Sequence, residues 1–154
     1  GVGYSPKVGQ AGMGNIGRTA AAWLGYVNLG LGARPWCEQM KGWVRVHVGD
    51  VMNGHASLLQ HVKLAGVAAA ALGGDAPARY WESVRRDLIL ARAPDGSFQP
   101  RPWVETVVIG SNADVGNGEI WSTCCWTLAL VAGPSEDGKR PGLTGWTGAS
   151  PEGR

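Results

Sequence analysis

His47, Asp50, His55 and His61 lie close together in the chain, and imidazoles with a carboxylate are the donor set that holds zinc or another divalent cation. Their spacing is unlike the i, i+4 histidine pair of a helical metal site, because His55 and His61 fall on different faces of one helix. The expectation is therefore no resident metal or other cofactor, with His47, Asp50 and His55 as the weak zinc alternative. On the structural reading, His47 borders the core and His61 satisfies a hydrogen bond inside it. A second set is read from position. Arg18, His55 and Glu119 each follow a glycine at the start of a helical stretch, so aligned helices would gather them at one end. There His55 and Glu119 could act as base and acid, or Glu119 could serve the helix dipole and bridge to a neighbouring helix. Ser57, Ser122 and Cys124 carry no sequence cue for a neighbouring base, so no nucleophile is assigned.

Tryptophan offers a third possibility. The chain has eight tryptophans against one phenylalanine, and each indole brings a large apolar area with one N–H that seeks a partner. Trp23, Trp121 and Trp126 lie on helical stretches where they could line a cavity for an apolar or sugar ligand, or simply form core. Trp103, set beside prolines, is the one expected to meet a partner surface.

The elements that must position these residues are helices of two kinds. "GRTAAAWLGYVNLG", "GHASLLQHVKLAGVAAAALGG" and "GEIWSTCCWTLALVAG" each open on glycine and a polar residue, run through small and apolar residues, and close on glycine. Nearly apolar all round, they are expected to be buried on most sides. Between them, "RPWCEQMKGWVRVHV" places Trp36, Met40, Trp43, Val44 and His47 on one stripe. "DAPARYWESVRRDLILARA" places Tyr80, Trp81, Val84, Leu88 and Ala91 on another, after Asp75 and with Pro77 in the first turn. Buried and amphipathic helices thus alternate, which a two-layer ring or arc of helical hairpins explains: inner helices touch neighbours on both sides and outer helices keep a wet face. In "ARAPDGSFQPRPW", Asp95 and Gly96 turn the chain after the second amphipathic helix, Phe98 plugs back between helices, and the prolines carry the chain onward. Residues 104–110 read as a short extended piece.

Composition excludes several functions. A net charge of +2, with dispersed lysines and arginines, gives no nucleic-acid footprint, and Arg79, Arg85 and Arg86 alternate with Glu82 and Asp87 as on a solvated helix face. The glycine-rich start lacks the Lys-Ser/Thr ending of a phosphate loop. No stretch is long and apolar enough for a membrane span, so a soluble chain is expected. The three cysteines, Cys37, Cys124 and Cys125, make no disulfide framework and read as small buried side chains.

The alternation, the "DGSF" turn and "GEIWSTCCWTLALVAG" beginning the next inner helix resemble the α/α-toroid superfamily over residues 17–133. That superfamily includes squalene and hopene cyclases, protein prenyltransferase β subunits and complement-type thioester domains. The combination of "GHASLLQHVKLAGVAAAALGG" with "YWESVRRDLILARAPDGSFQPRP" looks most like bacterial toroid-repeat domains of uncharacterised function. The resemblance implies an all-α partial toroid with inner and outer helices. It does not extend to the chemistry: the Asp-x-Asp-Asp run of the cyclases, the zinc set of the prenyltransferases and the Cys-Gly-Glu-Gln of the thioester domains are all missing. Phe98 also replaces the tryptophan of the cyclase repeat.

The organisation expected is an irregular opening segment over residues 1–16, a toroid-like helical domain over residues 17–133 and an extended or mobile tail over residues 134–154. The expected function is a non-catalytic binding or assembly module that presents a concave apolar surface to other protein chains, as part of a larger protein or a homo-oligomer. The alternatives are a hydrolase or cyclase-like enzyme domain using His55 and Glu119, and a self-assembling structural subunit.

Overall fold

A computed structural model describes residues 1–2, 15–51, 57–99 and 113–131. The described residues form five helices: α1 (Ile16–Asn28), α2 (Pro35–His47), α3 (Leu58–Leu72), α4 (Ala76–Ala91) and α5 (Ala113–Val131). They contain no strand, only one isolated antiparallel bridge between Arg92 and Phe98. The expected opening segment, tail and extended piece over residues 104–110 lie largely or wholly outside the described residues.

α3 is the hub, packed against each of the other four helices, and α1 also packs on α2. Its composition permits this. Leu58, Leu59, Val62, Ala65, Gly66, Ala68 and Ala69 are buried around its circumference, and small side chains let several neighbours approach at once. The closest approach is at Gly17 of α1, where a β-carbon would stand 2.6 Å from His61 Cδ2 and 3.0 Å from His61 Cα. Only glycine fits that crossing.

The helix ends follow from local sequence. Asn15 caps α1 by accepting from the Arg18 N–H at 3.2 Å, and Ser57 caps α3 by accepting from the Gln60 N–H at 3.1 Å. Gly73 and Gly74, both with positive φ, turn the chain from α3 into α4. α2 and α4 are joined by Arg79, whose guanidinium donates to the Arg45 and Val46 carbonyls at 2.9 and 2.7 Å. It thereby supplies a cation and donors at a helix C-terminus. Tyr80 is fully buried and its hydroxyl donates to the Val62 carbonyl at 3.0 Å, so burial pushes the phenol's ionisation far upward.

α4 buries Tyr80, Val84, Leu88 and Ala91 as the spacing predicts. α2 differs: Cys37 and Val44 are its buried residues, followed by Val48, whereas Trp36 is exposed and meets Tyr26 edge-on at 4.5 Å. The turn after α4 closes as expected, with Gly96 at φ 89°, Asp95 accepting from the Ser97 N–H and hydroxyl, and Phe98 buried beside Trp126. α5 begins earlier than its sequence suggests and is broken at Gly118, φ 77°, so the expected inner helix is its second part.

Candidate functional site

The N-terminal ends of α1, α3 and α5 meet, and most of the buried polar side chains of the described residues collect there. Asp114, in the first turn of α5, is fully buried. Its carboxylate accepts from the Ser57 hydroxyl at 2.5 Å, from the Leu59 N–H at 3.1 Å and from the Trp121 indole N–H at 3.1 Å. Because Leu59 lies in the first turn of α3, Asp114 is a second cap on that helix, placed where the macrodipole favours a negative charge. Lys63 stands 4.0 Å over the Trp121 ring. Behind it the Cys125 thiol is pushed up to about 11 by burial, an effect that Lys63 opposes and Asp114 reinforces.

On the α1 side, Asn15 Oδ1 already accepts from Arg18 N–H, so its amide nitrogen faces His61 Nδ1 at 3.3 Å. An amide N–H donates, which makes Nδ1 the acceptor and places the ring proton of neutral His61 on Nε2. Thr19 is satisfied in both directions: its hydroxyl donates to the Asn15 carbonyl at 2.9 Å and accepts from the Val2 N–H at 2.8 Å.

A serine hydroxyl donating to a buried carboxylate resembles a nucleophile beside its base. Here both groups are already committed to helix ends: Ser57 caps its own helix while donating to Asp114, and the Ser57 and Leu59 donors fix α5 against α3, while Trp121 holds the carboxylate from within α5. The chemistry of this arrangement is that of a lock.

The residues singled out from sequence are placed as follows. Arg18 is half-buried in the first turn of α1, and Glu119 is exposed just after Gly118. Trp23 and Trp126 are buried in the core, and the Trp126 N–H donates to the Gln99 carbonyl at 3.3 Å. Trp121 is half-buried against Asp114. His47 pairs with Asp50 at 2.7 Å and stacks on Trp43 at 4.1 Å. His55 and Trp103 lie outside the described residues. Among the described residues no three His, Cys, Asp or Glu side chains converge as metal ligands, and no helix is long and apolar enough to cross a membrane. All three cysteines are free, with Cys37 and Cys125 buried but Cys124 exposed, which corrects the expectation that all three are buried.

Ser57, Asp114 and Asn15 were not singled out for the site from sequence. Two carry a local signal: Asn15 precedes an apolar run, and Ser57 with Gln60 has the spacing of a capping box. Asp114 has none, because the partners that bury it, Ser57 and Leu59 at the start of α3, lie far away in the chain. No family model matches this chain, and neither a curated protein nor a solved structure is found to be similar to it.

Proposed function

We propose that this chain is a non-catalytic binding and assembly module, built as a partial α/α toroid in which α1, α3 and α5 are the inner helices and α2 and α4 the outer ones. It presents an apolar surface to other protein chains, within a larger protein or an oligomer. The observation that carries this reading is the second face of α5. Ser122, Cys125, Trp126 and Ala129 are buried on one side, while Ile120 (83% exposed), Cys124 and Thr127 form an uncharged stripe opposite, with Leu130 exposed on its flank. A helix apolar on both sides is the inner helix of an arc that continues. The commitment of Ser57 and Asp114 to helix ends supports a non-catalytic role.

Native mass spectrometry of the purified protein across a range of concentrations tests the reading. A mass that rises by whole protein chains is expected. A bare monomer at every concentration, or a monomer carrying a reproducible small-molecule mass, would overturn it.

A further inference from the structure

Resting on that assembly reading, we infer that α5 of one copy of this chain packs against α1 of a second copy, with Glu119 of the first set beside Arg18 of the second. α1 also has two sides. Opposite its buried face run Arg18, Ala22, Gly25 and Leu29, spaced i, i+4, i+7, i+11, and this stripe ends in an exposed apolar corner of Leu29 (73% exposed), Tyr26 and Trp36.

The two stripes match in register and charge. α1, α3 and α5 begin from the same end, as the Asn15–His61 and Ser57–Asp114 bonds require. Continuing that order places the first turn of a neighbouring α1 level with the start of the second part of α5. There Glu119 meets Arg18. The same number of residues separates Glu119 from Leu130 as separates Arg18 from Leu29, and each residue rises 1.5 Å, so the two leucines also come level. Between them Thr123 and Thr127, on the side of α5 that carries Ile120 and Leu130, face Ala22 and Gly25. These small side chains allow close approach, and a β-carbon added at Gly25 would meet nothing within 4 Å in the single chain. The guanidinium has five N–H donors and serves Glu119 alongside any other acceptor.

Such a contact uses two different faces and is heterologous, so it propagates into a ring or a filament. It is also modest. One helix pair and the Trp36 corner bury less than the roughly 800 Å² per partner of a standard stable interface, so association is weak for an isolated pair and strengthened by ring closure.

Sedimentation velocity on three full-length proteins tests this: wild type, Ile120→Arg and Leu29→Arg. Both substituted positions are exposed, and unchanged circular dichroism and urea midpoints would certify the folds. Wild type should associate as concentration rises, and each variant alone should remain monomeric because every contact needs both faces. An equimolar mixture should form a one-to-one dimer and nothing larger, since each variant keeps the face the other has lost. Glu119→Ala should loosen wild-type association about two- to fivefold, an effect that fades in high salt. If Leu29→Arg alone still dimerises, α5 pairs with itself; this inference falls and the assembly reading stands. If wild type stays monomeric throughout, both fall.

Discussion

Replacing Asp114 tests the central feature of the structure. Asp114→Ala removes the acceptor for three donors at once: the Ser57 hydroxyl, the Leu59 N–H and the Trp121 N–H. Hydrogen bonds to a charged group contribute about 1.5–3 kcal/mol each, and a buried donor left unpaired costs about 1–3 kcal/mol. These terms do not simply add. Trp121 is half-buried and can turn to water, and the Ser57 hydroxyl can rotate, although its oxygen still accepts from Gln60 N–H. The Leu59 N–H is fixed by the helix and has no such escape. A loss of about 3–5 kcal/mol is therefore expected for Asp114→Ala, a large share of a small domain's stability. Asp114→Asn keeps one acceptor oxygen but turns an NH₂ toward a donor, and should lose about 2–3 kcal/mol. Urea denaturation followed by tryptophan emission measures both, and a double-mutant cycle with Ser57→Ala measures their coupling. The reasoning fails if Asp114→Ala costs less than about 1 kcal/mol, or if the two substitutions are additive.

Gly17→Ala should destabilise by about 1–3 kcal/mol, because the new methyl meets the His61 ring and backbone and α1 must shift outward; the urea midpoint reads it. Arg79→Ala should cost about 1 kcal/mol by the same assay, since its two carbonyl bonds hold the end of α2 but its side chain is well exposed. Titration with a maleimide should find Cys124 reacting rapidly in the native protein, with Cys37 and Cys125 following only on unfolding. The Cys125 thiol lies above its ordinary value of 9.0 in the folded chain, so its contribution is fully present below about 9 and is lost as pH rises through about 11. Urea midpoints measured across that window should fall for the wild type and fall less for Cys125→Ala.

Legibility differed from helix to helix for physical reasons. α4 could be read directly, because Tyr80, Val84, Leu88 and Ala91 recur with one helical period while charge covers the other side. α2 was oriented only in part: of the expected stripe Val44 is buried and Met40 and Trp43 pack half-buried against the core, but Trp36 is exposed and Cys37 is buried instead. The choice was made by tertiary contact, with Trp36 drawn to Tyr26 across the α1–α2 turn. The adjacent Cys124 and Cys125 point to opposite sides of α5, which periodicity implies but small side chains do not announce. The start of α5 was hidden for another reason: Gly118 reads as a helix boundary, and the turn before it is fixed by a carboxylate whose bonds reach Ser57, at a sequence separation of 57.

That carboxylate also explains why a full charge is buried in a chain with so few. Helices that start from one end bring together N-termini, each equivalent to roughly half a positive charge, and neutral caps such as Asn15 and Ser57 satisfy donors without offsetting the field. Asp114 does both between α3 and α5, which gives a buried anion a favourable place and ties the register of the two helices to a single residue. The same electrostatics applies wherever another N-terminus is added to the row. Within α5 the acidic residue at the start of the second part, just after the Gly118 break, is Glu119, exposed and without an ion pair among the described residues. In the proposed contact between copies, a neighbouring α1 would bring a helix N-terminus together with Arg18, and Glu119 would take there the role that Asp114 holds within one chain. Removing Asp114 should consequently weaken the fold itself, whereas removing Glu119 should leave the fold intact and weaken only the association of chains.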